Sequence, residues 1–163
     1  MRRATFPVVR ARHAGRGRYH PASASDIRNA LKVFGEEFYY GLVSVELVPA
    51  PVVPAQLPLG RLIGPGRIVL YDQAPSPWRL GFELPTGERA RLLAAGARSD
   101  RDDVVTWPGD SLRRFMLGYV LAHELGHHVL QHERRLRGER AARTSEHESR
   151  ADTIAAKLRA LLD

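Results

Sequence analysis

The feature that most restricts how this chain can fold is the string His-Glu-Leu-Gly-His at residues 123–127. Successive residues of an α-helix turn by about 100°, so His123 and His127 share one face and stand about 6 Å apart along the axis. Both imidazoles can then bind one zinc ion, and Glu124 lies beside the first histidine, where it can contact a water molecule instead of the metal. The string therefore predicts a helix that carries a zinc site.

The surrounding residues support this helix and predict a second one. Asp110 or Ser111 can cap the first, Gly138 can end it, and its apolar positions are Phe115, Met116, Tyr119, Val120, Leu121, Leu125, Val129 and Leu130. After a basic turn, Thr144 or Ser145 opens a final helix with apolar positions at Ala151, Ile154, Ala155, Leu158, Leu161 and Leu162. The residues of chemical interest lie on these two helices.

A catalytic zinc site usually has three protein ligands, so the two histidines require a third. His128 lies about 100° around the helix from His127, and His132 about 140°, so neither can join the pair on a straight helix. We expect both to face solvent. The remaining candidates lie on the final helix: Glu146, His147 and Glu148.

Glu148 is the favoured third ligand. It lies four residues before Asp152 on one helix face, and small alanines beside it permit close approach to another helix. Glu148 can complete the metal site from that face while Asp152 orients an imidazole. Glu148 can alternatively form a capping box with Ser145, and His147 remains an outside candidate for the third ligand.

The N-terminal two thirds of the chain predict one helix and a small twisted sheet. Ser25 or Asp26 can cap the helix, and Gly41 can end it. Strands are predicted over four stretches, the last two forming a hairpin around residues 85–88: 42–48, 67–71, 78–84 and 89–93. Residues 104–107 fit either a short edge strand or a loop on the substrate side. With the two later helices, these elements predict an α+β fold.

Composition limits the class of protein and the kinds of metal ligand. A length of 163 residues and an apolar fraction of 44% fit one soluble domain. The chain has no cysteine, so a metal can be held only by histidine, carboxylate, carbonyl or water. No apolar run approaches the ~20 residues needed to span a bilayer, and no secretory signal is recognisable, so we expect a cytoplasmic protein without membrane contact.

The net charge of +7 is concentrated at the start of the chain. Residues 1–22 contain no acidic residue and predict a basic N-terminal arm that is flexible or lies over the domain. Residues 23–163 are predicted to form that single domain. The arginines of the arm are Arg2, Arg3, Arg10, Arg12, Arg16 and Arg18. The arm can simply be a solvated face. It can also neutralise phosphate, so the alternative function is a nucleic-acid-associated binding protein with a structural or inactive zinc site.

HELGH followed by Glu148-Ser-Arg-Ala-Asp152 resembles the gluzincin metallopeptidases and is most similar to the ImmA/IrrE-type peptidases. The specific match covers residues 112–162, and the rest of the chain is similar only in the order of its elements. The resemblance implies a small zincin-like domain that binds one Zn²⁺ per chain. Its zinc ligands would be His123, His127 and Glu148, and its general base would be Glu124. Asp152 would hold the ring of His123 from outside the ligand group.

The activity implied by this resemblance is zinc-dependent hydrolysis of peptide bonds in a protein substrate, in such peptidases often a DNA-bound regulatory protein. Glu124 would take a proton from the attacking water and pass it to the leaving amine. Candidate oxyanion donors are Tyr71, Tyr119 and His147, and a strand before the active-site helix would pair with an extended substrate. A SprT-like peptidase with His147 as ligand is a further alternative, disfavoured by Glu148 and Asp152. The oligomeric state is not predicted.

Overall fold

The computed structural model describes residues 4–138 and 145–163. In these residues the strands are β1 (Val8–Ala11), β2 (Ser44–Val48), β3 (Gly60–Leu62), β4 (Arg67–Tyr71), β5 (Trp78–Arg79), β6 (Arg98–Arg101) and β7 (Val104–Thr106). The helices are α1 (Ala24–Phe34), α2 (Glu36–Tyr39), α3 (Thr86–Ala94), α4 (Ser111–Phe115), α5 (Ala122–Leu136) and α6 (Ser145–Leu162), and a π-helical segment, Met116–Leu121, joins α4 to α5. The predicted α+β class is confirmed.

The larger sheet has the strand order β1-β2-β4-β3. The first three strands are parallel, and β3 pairs antiparallel with β4 at the edge. Alternate residues of the two central strands are buried in the core: Val45, Leu47, Ile68 and Leu70. Because β4 contacts the π-helical segment and β3 contacts α5, the antiparallel edge of this sheet lies beside the HELGH string.

The smaller sheet is antiparallel, with the order β5-β7-β6, and it contradicts two predictions. Residues 104–106 form its central strand, neither an edge strand nor a loop. The predicted hairpin is also wrong, because residues 89–93 belong to α3. The alternation of Arg89 and Arg91 with apolar residues such as Leu92 resembles the pattern of a strand. In the structure these residues are helical, and α3 buries only Leu92 and exposes most of its other residues to solvent. So short a pattern cannot distinguish one helical turn from a strand.

The first helix begins and ends earlier than predicted. Ser23 caps it, accepting a hydrogen bond from the backbone of Asp26, whose carboxylate accepts one from the Ser23 backbone. The helix ends at Phe34 because Gly35 has a φ of +103°, and the short α2 follows before Gly41.

The N-terminal segment is joined to the sheet through β1, a strand that was not predicted. Asp72, whose side chain is fully buried, accepts hydrogen bonds from the backbone of Gly15 at 2.7 Å, from Arg18 Nε at 2.7 Å and from the backbone of Ala50 at 2.9 Å. Burial alone would raise the pKa of this carboxyl, but these three hydrogen bonds outweigh it and lower the pKa. Residues 1–3 of the expected arm, and residues 139–144 of the expected basic turn, lie outside the described residues.

Candidate metal centre

The HELGH string lies in the first half of α5, where one helix face is buried and the other carries the two histidines. Leu121 and Leu125 are fully buried and hold the helix against the core. On the opposite side, the side chain of His123 is only 12% exposed, that of His127 is 1% exposed, and both face α6. The helix therefore presents both imidazoles in fixed positions to its neighbour.

Gly126, inside the string, sets the distance between α5 and α6. A Cβ atom at this position would lie 2.7 Å from the carbonyl oxygen of Ala151 and 3.2 Å from its Cα atom. Ala151 is itself fully buried, so the two helix backbones touch where neither has a large side chain. This contact brings Glu148, about one turn before Ala151, and Asp152, the residue after it, over the histidines.

Three groups converge at this interface and can hold a metal ion. The Nε2 atoms of His123 and His127 are 3.0 Å apart. Each lies 3.2 Å from one carboxylate oxygen of Glu148, His123 from Oε2 and His127 from Oε1. The structure therefore brings together the three ligands expected from the sequence.

The separations within this group suit a small tetrahedral ion. Bonds of about 2.0–2.1 Å at tetrahedral angles place neighbouring ligand atoms about 3.3 Å apart, close to the observed distances of 3.0 and 3.2 Å. Two imidazoles and one carboxylate are the donor set of such a site when one position is left for water. Glu148 is 47% exposed, so the group opens toward solvent on the α6 side.

The outer ring nitrogens of both histidines are held by partners on α6. Asp152 Oδ1 accepts a hydrogen bond from His123 Nδ1 at 2.8 Å, as expected. His127 Nδ1 lies 2.8 Å from Nδ1 of His147, and the two rings stack with centroids 4.8 Å apart. His147 therefore does not join the ligand group but supports His127, a role that the sequence did not indicate.

The pairing of two Nδ1 atoms specifies where the protons lie. If His127 offers the lone pair of Nε2 to a metal, its Nδ1 carries the hydrogen and donates it. Nδ1 of His147 must then be the acceptor, which places the proton of a neutral His147 on Nε2. In His123 the hydrogen likewise lies on Nδ1, because the Asp152 carboxylate can only accept a hydrogen bond.

Glu124 lies on the other side of the histidines, against the edge strand of the larger sheet. Its Oε2 accepts a hydrogen bond from the backbone N–H of Leu62 at 2.8 Å, and the residue is buried. Gly60 permits this approach of β3, because a Cβ atom there would lie 2.8 Å from Cγ1 of Val120. The carboxylate is thus positioned by a hydrogen bond and stays out of the ligand group.

A cavity of about 340 Å³ adjoins this carboxylate, and both His123 and Glu124 line it. Of the candidate oxyanion donors, Tyr71 lines the cavity. Tyr119 instead lies behind the helix, with the Arg159 guanidinium 3.9 Å from its ring centre, and His147 lies behind His127. Tyr71 alone among the three faces the space beside Glu124.

The expectation that His128 and His132 face solvent is wrong. His128 is 1% exposed, its Nε2 donates to the carbonyl of Tyr40 at 2.8 Å, and burial lowers its pKa. His132 packs its ring against that of Tyr40 at 5.6 Å. The helix α2 was not predicted from the sequence. The end of this helix, together with Tyr40 and Gly41, covers this face of α5 and shields the two histidines from solvent.

A buried carboxylate beside a three-ligand group and an open cavity is an arrangement that can activate water against a bound substrate. Among residues 4–138 and 145–163, no helix combines the length and apolar character needed to cross a membrane. Comparisons of the chain with protein-family models, with curated proteins and with solved structures found no match.

Proposed function

We propose that this protein is a zinc-dependent peptidase with a zincin-like fold. The observation that carries the proposal is the convergence of two imidazole Nε2 atoms and one carboxylate within 3.2 Å, beside the buried carboxylate of Glu124. The HELGH string and the following Glu148-Ser-Arg-Ala-Asp152 support the same assignment through their resemblance to gluzincin peptidases.

In this proposal His123, His127 and Glu148 hold the zinc ion. When bound, zinc supplies Lewis acidity, which polarises a carbonyl group and lowers the pKa of water. Asp152 and His147 keep the two imidazoles in the tautomers that leave Nε2 available. The absence of cysteine from the chain is compatible with this donor set.

Glu124 is the general base. The Leu62 N–H donates a hydrogen bond to its carboxylate and positions it beside the cavity, where it accepts a proton from the attacking water. Glu124 then passes this proton to the amine of the departing peptide. Tyr71 lines the same cavity and is the candidate donor to the oxyanion. The edge strand β3 borders the cavity and can align an extended peptide.

The proposal is tested by replacing Glu124 with Gln in zinc-loaded protein. A glutamine oxygen can still accept the Leu62 N–H, so folding and zinc content should be kept, whereas cleavage of a random peptide mixture should fall at least 100-fold. Glu133→Gln, an exposed change on the same helix, is the matched control. Cleavage by Glu124→Gln at the wild-type rate, or purified protein without bound metal, would contradict the proposal.

A nucleic-acid-binding function is the second candidate, and one observation favours it. Arg10, Arg12 and Arg16 are exposed near the β1 edge of the sheet, in a segment whose described residues, 4–22, contain no acidic side chain. Such a surface can contact phosphates, with affinity that falls steeply with salt. Salt-independent binding, or binding that persists after all three arginines are replaced by glutamine, would exclude it.

A further inference from the structure

The cavity beside Glu124 carries an excess of positive charge. Two arginines from different elements line it: Arg61 on the edge strand β3 and Arg91 on α3. Glu124 is the one acidic residue among its described lining residues. Arg61 is exposed and Arg91 is half-buried, and neither guanidinium has a hydrogen-bond or ion-pair partner within the described part of the chain. Both can therefore bind an anionic group from a ligand.

Most of the other residues that line the cavity are apolar, Val53, Leu57, Leu59 and Val120 among them. A volume of about 340 Å³ lies at the lower end of the usual range for ligand clefts, roughly 300–1,000 Å³. The walls can therefore cover the methylene groups of one long side chain while the arginines bind its end. In such partly enclosed surroundings a charged hydrogen bond is stronger than on an open surface.

The role of Glu124 indicates which substrate residue enters this cavity. In the proposed reaction Glu124 gives its proton to the leaving amine, which belongs to the residue on the carboxyl side of the cleaved bond. That nitrogen must come within hydrogen-bond distance of Glu124. The side chain of the same residue then lies against the cavity that Glu124 lines.

Resting on the proposed function, we infer that the peptidase prefers substrates with glutamate or aspartate immediately after the cleaved bond, recognised by Arg91 and Arg61. Arg91 is the stronger determinant because α3 holds it half-buried at the cavity wall, with the adjacent Leu92 fixed in the core. Arg61 is exposed and reinforces the same preference.

A binding experiment on zinc-loaded full-length protein tests this without requiring turnover. Two succinyl hydroxamates are compared by calorimetry: one carries a carboxyethyl side chain at the position after the cleaved bond, and the other carries the neutral carboxamidoethyl side chain of the same shape. We expect the carboxylate compound to bind at least tenfold more tightly. Arg91→Gln should reduce this ratio below threefold while changing the affinity of the neutral compound less than twofold, and Arg91→Lys should retain part of the preference.

Arg10→Gln, on the opposite edge of the sheet, is the control for loss of one positive charge and should leave the ratio unchanged. Equal affinity of the two compounds, or an unaltered ratio in Arg91→Gln, overturns the inference but leaves the proposed function standing. Zinc-loaded protein that binds neither compound contradicts the proposed function as well, and the inference falls with it.

Discussion

His123 and His127 differ in the group that holds the outer ring nitrogen. His123 faces the carboxylate of Asp152, which is 61% exposed, whereas His127 stacks against a buried imidazole, that of His147. A carboxylate partner increases the basicity of an imidazole more than a neutral partner does.

The spacing of His123, His127, Glu148 and Asp152 could be interpreted from helix geometry. His147 could not, because its contact depends on how α6 is rotated against α5.

The contact between His147 and His127 predicts a weaker metal site when it is removed. His147→Ala should lower zinc affinity by about 10- to 100-fold, since His127 then loses its orienting acceptor. His147→Asn should lower it less than threefold, because an asparagine oxygen can take the place of Nδ1. Competition with a coloured chelator measures both, with the exposed His13→Ala as the control. Equal losses in Ala and Asn would mean that packing, not the hydrogen bond, is responsible.

The position of Tyr71 predicts a selective effect on turnover. Removing one oxyanion donor commonly costs about 10²–10³-fold in kcat, so Tyr71→Phe should lower kcat to that extent with KM changed little. Tyr119→Phe removes the same hydroxyl outside the cavity and should leave both constants near those of the wild type. Steady-state kinetics on one cleaved peptide decides the matter, and an unchanged kcat in Tyr71→Phe excludes this residue.

The metal centre is built by α5 and α6, which pack against each other with small residues at their closest contact. The helices themselves were predictable because their apolar positions recur over several turns. The short elements were not: α3 was predicted as a strand, and β7 occupies the centre of its sheet. The position of this three-residue strand is determined by the residues that pack around it, and not by its own sequence pattern. These residues include the aromatic Trp78, Trp107 and Phe115.

The close contact at Gly126 predicts that alanine at this position destabilises the protein, although alanine is the better helix former. Alanine in a helix is favoured over glycine by about 1 kcal/mol, but a methyl group 2.7 Å from the Ala151 carbonyl forces α6 away, and overpacking of this kind costs about 1–3 kcal/mol. Gly126→Ala should therefore lower both the free energy of unfolding and the affinity for zinc. Gly87→Ala, in α3 with open space around the new methyl, should be neutral or stabilising. Unchanged zinc affinity in Gly126→Ala would contradict the role given to this contact.

At the scale of the whole molecule, the buried Asp72 ties three distant segments together: the loop before Tyr19, the end of β4 and the connection after β2. β1 belongs to the same assembly, yet it could not be predicted, because its parallel partner lies more than thirty residues away and it buries only Val9. The arginines among residues 10–18 therefore lie along an ordered edge of the sheet, and Arg18 forms an ion pair with the buried Asp72.

Asp72→Asn tests this tie. Hydrogen bonds to a charged group contribute about 1.5–3 kcal/mol, so the variant should lose about 2 kcal/mol of unfolding free energy at pH 7. Because the pKa of Asp72 is lowered in the folded state, its contribution is present above the unfolded-state pKa of about 3.9 and is lost as pH falls through the folded-state pKa. Urea unfolding should show the difference from wild type narrowing below about pH 4. The exposed Asp100→Asn should show no such difference, and a gap independent of pH would refute the assignment.

All three ligands and both supporting groups come from α5 and α6 alone, so an ion bound there would act as a clamp between two neighbouring helices. Binding that requires both helices in place is thermodynamically linked to their docking. An ion at about 100 times its dissociation constant would add about 2.7 kcal/mol to the docked state. The fraction of molecules with an assembled metal centre would then follow the free concentration of the ion, so metal supply would set how much of the protein can carry out the proposed reaction.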